Sequence, residues 1–402
     1  MKVQSRFLGG ILLVAGTSIG AGMLALPVTT AFGGFIPSLC VFLLIWALML
    51  STANFFLDVN LEIRGEPNFI SMAEKTLGKV GKMASWVFYL LLLYSLLAAY
   101  ISSCSPLFDR AFTEVFRGNL PTWLTPFFLP LLFSGFVCLG TQGIDYLNRI
   151  LMVGLIVSYF LLTGTSVTHI ETSRLLHVDF SASLLAIPVV ITSFGYHIII
   201  PTLTTYMEHK EKSLRKIILI GSLIPLFVYI LWQLVVLGSV PFSDLLGAWS
   251  KGLPATDPLS EVVQSGLMSS CSRFFSFFAI ITSFLGVSLA LSDFLTDGLK
   301  IKKSWEGRLM AIGLTFVPPL VFVFFCQKSF YVALEYAGIF VAILLGVIPS
   351  LMVLKLKKTP RYKNIWKRIF VFIVIALFIL MIALNLFEKQ GGLQRWILPY
   401  LQ

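Results

Sequence analysis

Apolar residues in this chain come in long unbroken runs, near 7–32, 35–61, 83–105, 124–140, 150–168, 184–206, 217–240, 271–298, 308–325, 330–354 and 368–387. A helix needs about 20 apolar residues to cross a bilayer core, so the pattern predicts eleven transmembrane spans. Barrel strands would alternate apolar with polar positions, and in lipid only helices otherwise satisfy every backbone group within one segment. The longest stretch without a spanning candidate, 241–270, leaves no room for a folded soluble domain.

Two runs are poor material for straight helices. The first reads Val14-Ala-Gly-Thr-Ser-Ile-Gly-Ala-Gly-Met-Leu-Ala-Leu-Pro27, with three glycines, Thr17 and Ser18 ahead of a proline. Glycine weakens a helix interior and proline removes a backbone donor, so a break is expected near 17–22. Gly16 and Gly20 also form a G-x-x-x-G pair, which gives close helix packing as the alternative. The sixth run reads Ala186-Ile-Pro-Val-Val-Ile-Thr-Ser-Phe-Gly-Tyr-His-Ile-Ile-Ile-Pro201 and places Thr192, Ser193 and Gly195 at mid-membrane depth. Interruptions in spans 1 and 6 fall at matching places in two sets of five helices of opposite orientation, the pattern of a five-plus-five inverted repeat. The repeats then cover about 7–168 and 184–354 of a single transmembrane domain, 1–402, with the helix near 368–387 as an addition. Free N–H groups at such a break suit an anion and free carbonyls suit a cation, so the pair fits a zwitterion. The amides of Ile19, Gly20, Ala21 and Gly22 are expected to take a carboxylate, and the carbonyls near Thr192–Phe194 an ammonium. Phe194 and Tyr196, separated by Gly195, are candidates to line a slot for a planar side chain; a core role for both rings is the alternative.

Composition agrees with the runs: 57% of residues are apolar and 12% charged, about half the charged share of a soluble domain. The net charge of +11 does not indicate nucleic acid, because the basic residues are scattered over short connections. With the N-terminus inside, 22 of the 30 Lys and Arg fall on inner segments, among them Lys2, Arg6 and the loop 355–368. That excess predicts a cytoplasmic N-terminus and a C-terminus on the other side. Cys40, Cys104, Cys138, Cys271 and Cys326 read as small apolar residues of helices rather than a disulfide framework. The chain carries no phosphate-cradling G-x-x-x-x-G-K-[ST] and no H-E-x-x-H or C-x-x-C, so neither an ATP-driven pump nor a metalloenzyme is indicated, and no cofactor or metal is expected. The first run is too long for a signal peptide and lacks a clear cleavage site.

Several segments resemble the signatures of bacterial aromatic amino-acid permeases: Gly16-Thr-Ser-Ile-Gly-Ala-Gly-Met-Leu-Ala-Leu-Pro27, Thr192-Ser-Phe-Gly-Tyr-His197, Ser283-Phe-Leu-Gly-Val-Ser288 and Tyr336-Ala-Gly338. Val137-Cys-Leu-Gly-Thr141, Asn148-Arg149, Trp232-Gln233, Leu237-Gly-Ser239 and Phe316-Val-Pro-Pro-Leu320 are also similar, so the resemblance covers nearly the whole chain. It implies the fold of the amino-acid/polyamine/organocation superfamily, with helices 1, 2, 6 and 7 bundled against a scaffold, in the bacterial inner membrane. It further implies import of an aromatic amino acid, tyrosine first, by proton symport. Tryptophan or broad aromatic specificity and then serine or threonine stand behind it, and a non-transporting amino-acid sensor is the competing class. Proton-coupled relatives look to a lysine in helix 5, yet 150–168 holds no Lys or Arg.

Ionisable groups are expensive in a membrane and so mark candidates. For proton coupling these are His197 in the break, Asp293 (with Asp297 one turn on) in span 8 and Glu335 in span 10. Their structural alternatives are a hydrogen-bonded core histidine, pairing with Lys300, and pairing with Lys328. Asp58, with Asn54 a turn before it, is expected exposed at the inner end of span 2 or in contact with Arg6. Ser283, Ser288 and Gln233 are placed to reach the centre, Ser283 as a substrate ligand together with Thr17, Ser18 and Ser193.

Overall fold

The computed structural model describes residues 3–20, 22–63, 67–118, 121, 123–139, 141–263, 266–302, 304–326, 328–356, 362 and 364–389, with backbone alone given at 3–5, 115–116, 133, 135–139, 141–149, 263 and 266–268. Ala21, Lys2, the middle of the basic loop and the tail beyond 389 therefore lie outside the described residues, as do the side chains of Cys138, Asn148 and Arg149. The helices are α1 (Val3–Ser18), α2 (Gly22–Thr30), α3 (Phe35–Glu62), α4 (Phe69–Phe116), α5 (Thr125–Leu139), α6 (Thr141–Ser166), α7 (Ile187–Ser193), α8 (Ile200–Tyr206), α9 (Glu211–Ser239), α10 (Phe242–Lys251), α11 (Thr256–Val263), α12 (Gly266–Gly298), α13 (Trp305–Phe325), α14 (Ser329–Val341), α15 (Ile348–Leu354) and α16 (Ile365–Lys389).

Nine of the described segments are long and apolar enough to cross a membrane. The bent pair α1 and α2 makes a tenth, and α5, 15 residues long, is the eleventh apolar segment expected from sequence. The fold is all-helical, and its two interrupted spans stand five apart, hence antiparallel. Span 1 bends by 56° between α1 and α2. Span 6 stops at Ser193 and resumes as α8 through a short 3-10 turn at His197–Ile199.

Packing separates two groups. α1, α2, α3, α7, α8 and α9 pack on one another, while α12 packs on α4, α6 and α13. α14 touches both groups through α4 and α7. A π-helical turn at Ala342–Val347 widens span 10 where it passes the breaks. Spans 6 and 10 are the most buried, and α13 and α16 face outward most. The small and polar residues of span 6 thus go to the centre, and the uniformly apolar runs go to the lipid side.

The structure adds two things to the hydropathy reading. Residues 62–82, read as a connection, are largely helical: Asn68 caps the start of α4 by accepting from the Ser71 N–H at 2.8 Å. A straight helix of 48 residues would be about 72 Å long, more than twice a bilayer core. Gly78, with φ of 75°, breaks it and lets the first turns lie apart from the span. The second addition is in 241–270, where α10 and α11 fold back over the membrane helices. The Ala255 N–H donates to the Leu24 carbonyl of α2 at 2.9 Å.

Candidate functional site

The two breaks meet at a cavity of about 390 Å³. Gly16, Thr17, Ser18, Ile19, Gly20 and Gly22 line it from span 1, and Thr192, Ser193, Gly195 and Tyr196 from span 6. Ser283 and Thr282 of α12 and Tyr100 of α4 face them, and Leu92, Leu93, Leu96, Met152, Val341 and Leu345 make the apolar wall. Gly16, Gly20 and Gly22 belong to this cavity rather than to a helix seam. A Cβ on Gly20 would stand 2.5 Å from Ser283 Oγ, and one on Gly22 would stand 3.0 Å from Ser193 Oγ, whereas at Gly16 the nearest atom is the Met152 methyl at 3.9 Å.

The serine and threonine hydroxyls on these walls have committed their protons to their own helices. Thr17 donates to Val14 O at 2.8 Å, Thr192 to Pro188 O at 2.9 Å, Ser193 to Val189 O at 2.8 Å, Thr282 to Phe278 O at 2.8 Å and Ser283 to Ala279 O at 2.9 Å. Each therefore meets the cavity only as an acceptor. The start of α2 supplies the opposite character, since the first N–H groups of a helix lack intrahelical partners; the Ile19 amide, expected among the carboxylate donors, instead closes the last turn of α1 by donating to Ala15 O at 3.0 Å. The carbonyls at the end of α7 are already engaged: Thr192 O by the Gly195 N–H at 3.2 Å, Phe194 O by the Tyr196 N–H at 3.1 Å, and Ser193 O by the Tyr229 hydroxyl at 2.9 Å.

Not every candidate reaches this place. Phe194 lies behind it, fully buried edge-on to the Tyr229 ring at 5.4 Å. His197 points away from the cavity, its Nε2 2.8 Å from Thr52 Oγ1 of α3. Asp293 and Asp297 are exposed near the end of α12, and no ion pair is found for either among the described residues. Ser288 turns back to Leu285 O at 3.2 Å, and Gln233 donates to the Thr30 hydroxyl in the far half of span 1. Glu335 also lies outside the cavity wall. Its expected pairing with Lys328 is replaced by Lys389 of α16, at 3.8 Å, because Lys328 caps the Trp249 ring at 4.0 Å. Its neighbour Leu334 does line the cavity, and the Leu334 carbonyl accepts from Thr192 at 3.4 Å.

Asp58 departs most from expectation. It is buried, not exposed, and bonds Arg215 of α9 and Tyr362, while Asn54 accepts from Arg215 at 2.9 Å. Arg6 goes to Glu208 instead, a carboxylate that hydrogen bonds from Lys210 and Arg6 hold below its ordinary pKa. These ties lie on the face where the chain begins: Arg215 joins α9 to α3, Tyr362 joins Asp58 to the chain ahead of α16, and Asn60 of α3 contacts the Met72 sulfur of α4 at 3.6 Å. On the opposite face the α10–α11 segment bridges the groups, bonding α2 through Leu24 O. Arg110 of α4 grips Asp257 of α11 in a fork at 3.0 and 3.1 Å, Tyr331 of α14 donates to Leu253 O, and Arg273 of α12 pairs with Glu114 of α4 within the second group. Burial raises the Asp257 carboxyl above its ordinary pKa, with Arg110 opposing.

The cavity is correspondingly one-sided. From Tyr100 it extends down α4 to Tyr89, about 16 Å of helix, and down α12 to Ala290, both toward the N-terminal face. Met23 to Thr30 of α2 are all buried, while Thr17 and Gly286 are exposed and Ile198 is 40% exposed.

An all-helical membrane fold with two broken spans around a midplane cavity defines a transporter architecture. The solved structure of MhsT in complex with L-phenylalanine shares it, with a TM-score of 0.63 at 15% identity over 93% of this chain and 98% of that one. A manganese transporter of Eremococcus coleocola gives 0.61 at 14% over 96% and 86%. Residues 3–387 match the tryptophan/tyrosine permease family, and the chain belongs to it. It is 32% identical to tyrosine-specific transport system 1 of Haemophilus influenzae, over 97% of this chain and 99% of that protein. It is 31% identical to a tryptophan-specific transport protein of Shigella flexneri, over 91% of each. The relatives are transport proteins, and this one is a multi-pass membrane permease, not an enzyme.

Proposed function

We infer that the chain imports an aromatic amino acid, tyrosine first, by proton symport across the bacterial cytoplasmic membrane, with the N-terminus cytoplasmic. The observation that carries the reading is the joint cavity, with helix-start amides on one side, acceptor hydroxyls on another and an apolar wall between. A carboxylate fits the amides of Gly20 and Gly22, an ammonium fits Ser193 and Ser283, and a ring fits the leucines of α4. Relatives named for tryptophan keep that substrate as the second reading. The single domain divides into repeats of about 7–168 and 184–354 plus the last helix.

Of the proton candidates Glu335 is the best supported. It is a half-buried carboxylate paired across helices, one residue from a carbonyl that Thr192 of the break contacts. The test is uptake of labelled tyrosine into proteoliposomes under an imposed proton gradient, with tryptophan, phenylalanine and serine as competitors. Accumulation that collapses with the gradient supports the reading. Uptake that needs sodium, or yields to serine, removes it, and saturable binding without flux points to a sensor. Glu335→Gln is expected to keep exchange of labelled for unlabelled substrate and to lose accumulation.

A further inference from the structure

α9 presents three polar tips on one face of an apolar helix, at positions 229, 232 and 233, and all three reach span 1. Trp232 Nε1 donates to the Met23 carbonyl at 3.0 Å, just beyond the break. The Tyr229 hydroxyl stands 2.6 Å from the Ser18 carbonyl, just before it, and 2.9 Å from the Ser193 carbonyl at the break of span 6. Tyr229 is fully buried and does not itself line the cavity. Two carbonyl oxygens brought together from different helices repel unless something positive lies between them, and unwound carbonyls of this kind are the groups that coordinate a small cation. Here the positive end of a single O–H bond fills that position.

We propose that Tyr229 is the positioning residue of the substrate site. Its hydroxyl proton, shared between Ser18 O and Ser193 O, ties the breaks of spans 1 and 6 together in place of a bound cation. The consequences follow from chemistry. One donor serves two acceptors, so its loss leaves two buried carbonyls unpaired at once. Ser18 leads into Gly20 and Gly22 of the cavity wall, and the Ser193 side chain faces Gly22, so the bond sets the distance between the two walls that would hold the backbone of an amino acid. Because the hydroxyl occupies the junction, that junction takes no sodium.

The proposal rests on the substrate reading above, and its test separates the two. Full-length protein in nanodiscs is compared with Tyr229→Phe and with Tyr229→4-aminophenylalanine, which restores a para donor. Binding of labelled tyrosine and hydrogen exchange at 18–22 and 193–196 are both measured, in sodium and in choline. Tyr229→Phe is expected to weaken binding about tenfold or more and to speed exchange in both segments together, with the 4-amino variant close to wild type in both. Affinity of the wild type is expected to be the same in the two salts. Wild-type behaviour of Tyr229→Phe, or failure of the amino variant to restore exchange protection, overturns the proposal, as does binding by the wild type that needs sodium. A wild type that binds no aromatic amino acid counts against the substrate reading, and the exchange data still decide the role of Tyr229.

Discussion

Gly20 stands where two helices come within one missing methyl group of each other. Its absent Cβ leaves room for Ser283 Oγ, which would otherwise be met at 2.5 Å. Gly20→Ala is expected to cut tyrosine uptake at least tenfold, and Gly20→Val to abolish it while membrane insertion persists. Because the obstacle is one hydroxyl, Gly20→Ala combined with Ser283→Gly is expected to recover much of the lost affinity, a non-additivity that a double-mutant cycle in binding measures. His197 calls for a different expectation. Its ring is seated against Thr52 behind the cavity, so His197→Gln is expected to keep accumulation against a gradient. His197→Ala, which removes the bond to Thr52 and leaves a void where the buried ring sits, is expected to lower stability by about 1–3 kcal/mol, read as a lower melting temperature in detergent. Loss of accumulation in the Gln variant at normal stability would return the proton to His197.

At the scale of elements, the segment α10–α11 acts as a tie across the face away from the N-terminus. It bonds Leu24 of span 1 on one side and Arg110 and Tyr331 on the other. Burial raises the Asp257 pKa, so Asp257 takes a proton more readily in this closed arrangement than in an open one that hydrates it. Acidification through the window between the ordinary value of 3.8 and the raised one therefore stabilises the closed face, and that contribution is lost as pH rises past the raised value. Labelling of a cysteine at Leu24 from that side is expected to slow as pH falls, and to lose this dependence in Asp257→Asn. None of this lid was legible in the sequence, where 241–270 read as a plain connection, because its short helices draw their stability from contacts distant in the chain. The breaks were legible, since Gly, Ser, Thr and Pro inside an apolar run are local information. Trp232 and Gln233 stood out in the sequence, but Tyr229 one turn earlier did not, because what a tyrosine in an apolar helix touches is set by contacts distant in the chain. The Asp58 contact to Arg215 spans 157 positions, and hydropathy at the end of span 2 carries no trace of it.

For the molecule as a whole, the ties on the two faces imply which way it stands. On the N-terminal face, Arg6 of α1 pairs with Glu208 and Asp58 of α3 with Arg215 of α9, and Asn60 of α3 makes a long contact of 3.6 Å to the Met72 sulfur of α4. On the other face, the α10–α11 segment bonds α2, α4 and α14, and the half-helices α2 and α7 are buried. A bundle strapped to α4 and α14 through the α10–α11 segment at one end, and held to them by less at the other, opens at the second end, and that is the direction in which the cavity runs. If the basic-residue excess sets the orientation, this is the cytoplasm-facing state. In a background freed of native cysteines, Thr17→Cys and Ala290→Cys are then expected to react quickly with a membrane-impermeant maleimide in inside-out vesicles and slowly in right-side-out ones. Leu24→Cys is expected to resist from both sides. Substrate favours a closed cavity, so tyrosine is expected to protect positions 17 and 290 together. Fast labelling of both from the right-side-out face would reverse the orientation while leaving the fold intact. Fast labelling of 24 with protection of 17 would show instead that the resting state in the membrane is open on the side that α10 and α11 close here.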